Sequence, residues 1–411
     1  MARSGFSIST IVHAALAVTM VVASMGLSTA YAQEAVRPEI GKPLQAANAL
    51  IKSGKFKDAL VKIREVDSVP NKTANETYLI EYTRGSAASS AGENDTTIKS
   101  FEAVIASGKA PAATQLKIIE ALVGAHYRAR EYAATNKWAS RYLREGGTNQ
   151  QIRTVLIQSY FQAGDFANSA KESLNDVQAD EKAGRTPSEE KLQLLANSYL
   201  RQKNTNGYIA TIEKLLNYYP KKSLWVDVIA RLQKKPGFSD RFALDVYRLL
   251  LATGNLTATN DYMEMSQLAL QAGYPGEAKK VVDEGYANGS LGKGAEVDRQ
   301  KRLRDLVEKR VAENLKIING GEIAANATKD GNAMVSLGYN LVTSGQAAKG
   351  IAMMEAGIKK ADLKRPDDAK LRLGIALIQS GQKAKGVQML KGVQGTDGAH
   401  DLANLWVIFA R

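Results

Sequence analysis

Histidine and cysteine, the residue types that most often carry catalysis or bind metals, are scarce in this sequence. The chain has 411 residues, no cysteine and three histidines, of which His13 lies in the N-terminal apolar segment. The other two, His126 and His400, are far apart along the chain. Clustered zinc ligands and nucleophile–base pairs need several such side chains in one place. We therefore expect no catalytic site and no metal site, and we interpret both remaining histidines as structural.

A glycine-rich segment and an acidic pair come close to chemical motifs but lack the residues that define them. In the segment 289–294, Lys293 is followed by glycine where a phosphate-binding loop has serine or threonine. Val297 stands where a dinucleotide-binding motif has its third glycine. Glu189 and Glu190 are adjacent on a predicted helix, about 100° apart, so they do not face a common substrate. We expect no cofactor.

A short pattern around a glycine recurs through the chain, and it indicates which elements position any binding residues. In the segment 158–174, Gly164 is followed by the aromatic Phe166 two residues later and the small Ser169 five residues later. Related patterns occur at eight anchors, separated by 34 to 42 residues apart from two gaps of 67 and 72 that each leave room for a degenerate unit. The anchors are Gly54, Gly92, Arg130, Gly164, Asn206, Gly273, Gly345 and Gly381.

The residues around each anchor predict a hairpin of two antiparallel helices. Apolar residues recur at helical spacing on both sides, and a glycine between two such segments suits a helix end that needs positive φ. The fifth residue after every anchor is small, and so is the seventh residue before five of the anchors, which lets the two helices approach closely. An aromatic side chain two residues after four anchors fills the wedge between the helices. We expect structural turns at Gly54, Gly92, Gly164, Gly273, Gly345 and Gly381.

This repeat of mostly 34 to 38 residues, with its order of glycine, aromatic and small residues, resembles the tetratricopeptide repeat (TPR) family. The resemblance covers roughly residues 45–393. The chain departs from the family pattern at Arg130, which replaces the turn glycine, and in the near absence of the helix-ending proline. The resemblance implies an all-α fold, a TPR-like right-handed superhelical solenoid of about ten antiparallel helix pairs.

The resemblance also implies where a partner would bind. In such arrays the first helix of each pair lines the concave surface, and polar side chains there suit a groove that hydrogen-bonds an extended peptide or a partner helix. Simple solvent exposure of the same side chains is the alternative. The candidate groove residues are Lys117, Glu120, Tyr127, Gln151, Thr154, Gln158, Gln162 and Gln193.

Two segments do not follow the repeat and guide the division of the chain. Residues 224–253 predict a helix, a turn at Pro236 and Gly237, and a second helix, whereas residues 296–318 predict one long charged helix without a turn glycine. We divide the chain into a signal peptide (1–32), an N-terminal linker (33–44), a TPR-like array (45–290) and C-terminal helical repeats (291–411).

The N-terminus has the pattern of a cleavable signal peptide. Arg3 precedes an apolar run over residues 11–22, and residues 30–32 read Ala-Tyr-Ala, the small-x-small pattern of a cleavage site. The run is shorter than the ~20 residues that span a bilayer. We therefore expect cleavage after Ala32 rather than a retained anchor, a mature chain without an integral membrane segment, and a periplasmic location, with secretion as the alternative.

The charge balance bears on the class of partner. The formal net charge is +13, and removing residues 1–32 removes one arginine and no acid, which leaves 54 − 42 = +12. Such a charge can attract acidic partners or anionic polymers. The densest basic cluster, between Arg299 and Arg310, is interleaved with acids at helical spacing, which favours a solvated helix face. Export separates the protein from cellular nucleic acid, so we expect no nucleic-acid partner.

The sequence thus favours a non-enzymatic periplasmic scaffold that binds a protein or peptide partner through the concave face of a helical repeat array. The alternative is a cell-wall or polysaccharide-associated accessory protein whose basic surface contacts an anionic envelope polymer. Polymer binding through exposed charges weakens strongly with salt, whereas a groove-bound peptide is less affected.

Overall fold

The computed structural model describes residues 36–327, 330–360 and 363–411, with residue 317 and residues 319–327 described by their backbone alone. The predicted signal peptide, residues 1–32, lies outside the described residues. Within them the chain forms 20 α-helices and no strand, which confirms the predicted all-α fold.

The helices follow one another with short connections. In chain order they are α1 (Pro38–Lys52), α2 (Phe56–Arg64), α3 (Ala74–Ala91), α4 (Asn94–Ala106), α5 (Ala112–Arg128), α6 (Tyr132–Arg144), α7 (Gln150–Gln162), α8 (Phe166–Lys182), α9 (Glu189–Arg201), α10 (Thr205–Tyr218), α11 (Lys222–Gln233), α12 (Ala243–Ala252), α13 (Thr259–Gln271), α14 (Pro275–Ala287), α15 (Val297–Ala327), α16 (Gly331–Thr343), α17 (Ala347–Ile358), α18 (Pro366–Gln379), α19 (Lys383–Lys391) and α20 (Ala399–Phe409).

Eight helix pairs of the described chain share one tight turn. At Gly92, the amide of Glu93 donates to the carbonyl of Ala88 at 2.9 Å, and the glycine itself has φ 77°, a left-handed helix ending that a Cβ disfavours. The second helix begins two residues after the turn residue in every pair. The six predicted turn glycines, Gly54, Gly92, Gly164, Gly273, Gly345 and Gly381, all have φ between 77° and 92°.

The anchor assigned to Asn206 is wrong. The residue with positive φ in this hairpin is Lys203, at 59°, and Asn206 lies in the first turn of α10. The side chain of Asn204 accepts a hydrogen bond from the amide of Gly207 and begins the helix. Lysine is not a typical turn residue, so the repeat pattern misplaced the turn by three residues. Arg130, the other non-glycine anchor, does adopt positive φ, at 61°.

Small residues bring the two helices of a hairpin into backbone contact. A Cβ built on Gly350 of α17 would lie 2.3 Å from the carbonyl oxygen of Gly338 of α16. In α8, the Ser169 hydroxyl donates to the Ile157 carbonyl of α7 at 3.3 Å. Gly338 and Gly350 lie seven residues before and five residues after Gly345, the two positions predicted to be small. Ser169 lies five residues after Gly164, at the second of these positions. The close approach of paired helices is therefore confirmed.

The aromatic residues after the turns lie at the edge of the wedge between helices. Phe166 packs edge-to-face on Phe161, with ring centroids 5.3 Å apart, and Tyr132 packs in the same way on Tyr127 at 6.0 Å. Phe166 is only partly buried. The rings therefore cover the turn end of the hairpin and do not fill its interior.

The two irregular segments fold as predicted. Residues 224–253 form α11, a turn with positive φ at Gly237, a short 3₁₀ turn at Asp240–Phe242, and α12. α15 is one uninterrupted helix of 31 residues. Its buried side includes Leu303, Val307 and Ile318, and it packs against α14 and α16. Apolar residues and the buried Asn314, which exchanges hydrogen bonds with Asn340 of α16 at 2.8 and 3.0 Å, hold this long charged helix on its neighbours.

The chain divides into two compact units, residues up to Gln178 (unit 1) and Ala179–Arg411 (unit 2). The boundary lies within α8. The linker predicted to extend to residue 44 is shorter, because Pro38 already opens α1.

In unit 2 the C-terminal helix packs back on helices early in the unit. Trp406 of α20 is fully buried, and Phe409 packs edge-to-face on Trp225 of α11 with centroids 6.5 Å apart. Lys235 pairs with Asp401 at 2.9 Å. These contacts join the two ends of α11–α20, a closure that the repeat pattern did not predict.

Candidate binding faces on the first helices

The predicted groove residues lie on first helices of three hairpins. Lys117, Glu120 and Tyr127 are on α5; Gln151, Thr154, Gln158 and Gln162 are on α7; and Gln193 is on α9. Four of them are exposed, namely Lys117, Gln151, Thr154 and Gln162, and the other four are partly buried. The structure places seven of the eight in unit 1, whereas Gln193 belongs to unit 2.

Five of these residues occupy two shared positions when they are counted back from the turn. Lys117 and Gln151 each lie thirteen residues before their turn residue, and Glu120 and Thr154 each lie ten before it. With the turn corrected to Lys203, Gln193 also lies ten residues before it. The three-residue spacing of these two positions places them on one side of the first helix. Tyr127, Gln158 and Gln162 lie three, six and two residues before their turns and have no counterpart in the predicted set.

One contact joins two predicted residues across neighbouring first helices. The Tyr127 hydroxyl of α5 donates to the Gln158 Oε1 of α7 at 3.2 Å. Burial, and then the neighbouring Tyr132, raises the pKa of Tyr127, so this hydroxyl stays a donor at neutral pH. The pair fixes both side chains at the open side of the two helices.

Two more of the predicted residues are engaged by other side chains of the protein. Glu120 accepts a short hydrogen bond from the Tyr142 hydroxyl, which in turn accepts from the amide of Asn149 at 3.2 Å. Gln193 donates to the Glu189 carboxylate at 2.8 Å. Glu120 therefore holds α6 on α5, and its carboxylate is less available to a partner than the sequence suggested.

Sequence reasoning missed two tyrosines on the face of unit 1. Tyr78 and Tyr82 of α3 are both partly buried, and their rings stack with centroids 6.2 Å apart. Tyr82 lies ten residues before Gly92, the position that Glu120 and Thr154 occupy in the next two hairpins. The repeat register could therefore have found it. We call the stripe on α3, α5 and α7 the unit 1 face.

In unit 2 the equivalent side of two first helices is covered by the chain itself. Tyr339 lies six residues before Gly345, as Gln158 does before Gly164, and the Arg248 guanidinium of α12 lies 4.5 Å from the centroid of its ring. Asp368 lies thirteen residues before Gly381 and accepts from Arg241 at 2.9 and 3.0 Å. The residues from the 3₁₀ turn to α12 thus occupy the stripe of α16 and α18.

A buried ion cluster accompanies this contact. Arg248 is 1% exposed and donates to both carboxylate oxygens of Glu277 at 2.7 Å and to Asp245 at 2.6 Å. Arg372 of α18 lies 3.5 Å from the other oxygen of Asp245. Burial by itself would lower the pKa of Arg248, but the carboxylates raise it well above its ordinary value. The guanidinium is charged, and its bidentate pairing orients α12 on α14.

A second open stripe lies on α13, the first helix of the Gly273 hairpin. It borders a cavity of about 440 Å³ that also reaches Arg299 of α15. Asn260, Gln267 and Gln271 lie thirteen, six and two residues before Gly273, the positions of Gln151, Gln158 and Gln162 before Gly164. The cavity is lined by Asn260, Met263, Glu264, Gln267, Leu268, Gln271 and Arg299.

The two histidines occupy different structural settings. His126 is buried, and its Nδ1 lies 2.6 Å from a carboxylate oxygen of Glu131. The His400 Nδ1 lies 2.8 Å from the carbonyl oxygen of Val393, and its Nε2 lies 3.1 Å from Asn404. Among the described residues, no group of three or more histidine, aspartate or glutamate side chains could hold a metal ion.

No helix in the described part of the chain is long and apolar enough to cross a bilayer.

No protein-family model matches the chain, and no curated protein sequence matches it. Among solved structures, it is similar to Naa15/Naa10 bound to HypK-THB, with 14% identity over 85% of this chain and 62% of that one, at a TM-score of 0.37. It is also similar to the pentatricopeptide repeat protein PPR10 from maize, with 13% identity over 88% and 60% of the two chains, at a TM-score of 0.30.

A third similar structure is the TPR domain of P58(IPK), with 11% identity over 90% of this chain and 97% of that one, at a TM-score of 0.23. The chain spans about three fifths of the length of the first two structures. Likeness at these identities assigns neither a family nor a function. The helical-repeat architecture therefore rests on the hairpins, turns and small-residue contacts of this chain.

Proposed function

We propose that this protein is a non-enzymatic scaffold that binds a protein or peptide partner through the unit 1 face. The observation that carries the proposal is the polar stripe on α3, α5 and α7, in which Tyr82, Glu120 and Thr154 lie at one matching position. Tyrosine, glutamine and threonine outnumber the charged Lys117 and Glu120 in this stripe. Such side chains offer both hydrogen-bond donors and acceptors with little charge. They suit a polypeptide better than an anionic polymer.

The covered stripe in unit 2 supports this proposal. There, side chains at the same register positions bind a segment of the same chain through ion pairs and a cation–π contact. The first-helix stripe of this repeat can therefore hold protein. An interface of standard size, roughly 1,600 Å² in total, would extend over more than one of the hairpins in unit 1.

We further propose that the partner is met in the periplasm after removal of residues 1–32. The sequence pattern of that segment is the support for export. Mass spectrometry of the protein purified from its native cells tests the proposal. We expect the mature chain to begin at Gln33, and an intact N-terminus would contradict export by cleavage.

Site-specific photocrosslinking tests the binding face. A photoreactive amino acid replaces the exposed Thr154 on α7 or, as a control, the exposed Lys171 on the second helix α8. We expect a discrete protein adduct from position 154 in intact cells and none from position 171. The captured protein should then bind the purified chain, and Tyr127→Ala should weaken that binding by removing the contact to Gln158. Equal capture from both positions would contradict the proposal.

The exposed basic side of α15 favours a second candidate function, contact with an anionic envelope polymer. Arg304 and Arg310 pair with Glu308 and Glu313 on their own helix. Lys301, Arg302 and Lys309 are exposed and have no ion pair among the described residues. A dextran sulfate probe should lose affinity when these three residues are replaced by glutamine, if this side of the helix carries polymer binding.

A further inference from the structure

The cavity beside α13 has a polar row along one wall and an apolar floor. Asn260, Glu264, Gln267 and Gln271 follow one another at spacings of four, three and four residues, so they share one side of the helix. Met263 and Leu268 contribute apolar surface, and Met263 is buried. A cavity of about 440 Å³ is within the range of sites that bind small ligands or short peptide segments.

The spacing of the amides matches the repeat of an extended polypeptide. Four residues of α-helix rise about 6.0 Å. Two residues of an extended chain rise about 6.6 to 6.8 Å, and successive side chains point to opposite sides. Gln267 and Gln271, one such step apart, can therefore meet backbone groups of alternate residues. Each glutamine amide carries a donor and an acceptor, so it can pair with both the N–H and the C=O of one residue.

The charges around the cavity favour a cationic side chain in the bound segment. Arg299 is paired with Glu296 at 3.0 Å. Glu264 is exposed and has no ion pair among the described residues. Burial, and then the carboxylates of Glu264 and Asp261, raises the pKa of Tyr247, which keeps its hydroxyl a donor. Glu264 is therefore the carboxylate of the cavity lining that is open to a cationic side chain.

We propose that this cavity binds an extended polypeptide segment of a partner protein, held through its backbone by Gln267 and Gln271 and carrying a lysine or arginine that meets Glu264. The inference rests on the proposed function only in taking polypeptide as the ligand. It adds a second binding site in unit 2, and a preference for positive charge in a protein that is itself strongly basic.

Three labelled heptapeptides test the inference by fluorescence anisotropy with the chain from residue 33 to residue 411. All alternate threonine and valine around a central position, which is lysine in the first and glutamate in the second. The third has central lysine and N-methyl groups on alternate backbone amides. We expect the lysine peptide to bind about fivefold more tightly than the glutamate peptide, the size of an exposed charge-pair effect. The N-methylated peptide should not bind, because its donors are blocked.

Protein variants assign the binding to the cavity. Glu264→Gln should abolish the preference for lysine, and Gln267→Leu, which keeps the side-chain bulk, should weaken both unmethylated peptides at least tenfold. Gln388→Leu, at an exposed position of α19, should leave both affinities unchanged. Circular dichroism checks that each variant is folded, and Gln271→Leu provides a second test if Gln267→Leu is not.

Several results would overturn the inference. They are no binding of the lysine peptide, equal affinity for lysine and glutamate peptides, or binding that Gln267→Leu and Gln271→Leu leave unchanged. Crosslinking from position 154 in unit 1 does not involve this cavity. A failure here that leaves the crosslink intact removes the second site and keeps the proposed function.

Discussion

Among single residues, Arg248 has the largest set of buried charged contacts. It pairs with Asp245 and Glu277, which are 0% and 8% exposed, and packs on the ring of Tyr339. Removing one member of a buried ion cluster leaves the other charges without compensation. The side chain therefore matters more for the folded state of unit 2 than the many exposed ion pairs of the chain.

We predict that Arg248→Ala lowers the free energy of unfolding by about 3 to 5 kcal/mol, as expected for breaking a buried pair. Lys279→Ala is the control, because Lys279 and Asp283 form an exposed pair on α14. Its effect should stay below about 1 kcal/mol. Urea unfolding followed by circular dichroism measures both, and equal losses in the two variants would contradict the assignment.

Glu213 of α10 is a second residue with a perturbed environment. Burial, followed by the nearby Asp401, raises the pKa of Glu213 to about 7, while His400 and Lys235 oppose the shift. The folded chain therefore binds a proton here at a pH where the unfolded chain has released it. The contribution of this proton to the free energy of unfolding is fully present below the ordinary carboxyl pKa, and it is lost as the pH rises toward about 7.

We predict that Glu213→Gln removes this pH dependence. Its melting temperature should be close to that of the natural protein near pH 4.5, and it should exceed the natural value increasingly up to about pH 7, with a constant difference above that. Thermal unfolding at a series of pH values measures the difference. A difference that does not change with pH would show that Glu213 titrates normally.

Among elements, the helical hairpin is set by its turn and by its closest helix contact. Most turns have glycine at the left-handed position, but Lys203 and Arg130 adopt positive φ with a Cβ present. A non-glycine residue in this conformation costs about 1 to 2 kcal/mol. The hairpins of α9/α10 and α5/α6 therefore store strain at one residue each.

Lys203→Gly should stabilise the α9/α10 hairpin by about 0.5 to 1 kcal/mol. Glycine removes the steric cost of positive φ, and this gain exceeds the conformational entropy that glycine loses on folding. Asn206→Gly, at the anchor that the repeat pattern assigned, should give no gain since Asn206 is already helical. Chemical denaturation of both variants compares them. A gain from Asn206→Gly with none from Lys203→Gly would favour the original register.

The helix contact is tested by two glycines of unit 1. A Cβ on Gly85 of α3 would lie 2.4 Å from the ring of Phe101, whereas a Cβ on Gly41 of α1 would meet nothing closer than 3.8 Å. Gly85→Ala should lower stability by about 1 to 3 kcal/mol through overpacking. Gly41→Ala should raise it by about 0.5 to 1 kcal/mol through helix propensity. If both substitutions stabilised the protein, α3 and α4 would not be as closely packed at Gly85 as the structure shows.

At the scale of the whole molecule, net charge and local binding faces separate the two candidate functions. The chain from residue 33 carries a net charge of +12, yet the unit 1 face is dominated by uncharged side chains. Polymer binding would draw on the total charge and partner binding on local hydrogen bonds. The two modes therefore respond differently to salt.

From about 50 mM to about 500 mM salt the Debye length falls from roughly 14 Å to roughly 4 Å. We predict that any affinity for dextran sulfate falls more than tenfold over this range. Capture of a partner by the photoreactive group at position 154 should persist. Loss of both signals together would mean that the partner, too, is held mainly by exposed charge.

The sequence by itself determined the local architecture. A glycine between two periodic apolar segments predicts a turn, and small residues seven before and five after it predict close helices, because both effects act within about a dozen residues. Gly54, Gly345 and the pair Gly338 and Gly350 show this directly. The same register selected Thr154 and Gln162 as candidate groove residues, and it could have located Tyr82 and the stripe of α13.

Only the tertiary structure decided which first-helix stripes are open and which are covered. Arg248 meets Tyr339, which is 91 positions away in the sequence, and Asp368 meets Arg241 across 127 positions. No local pattern marks these partners, because helices with similar apolar stripes can pack in several orders, and the total buried surface and charge pairing select among them. The engagement of Glu120 by Tyr142 and the turn at Lys203 were settled in the same way, by packing that outweighs local preference.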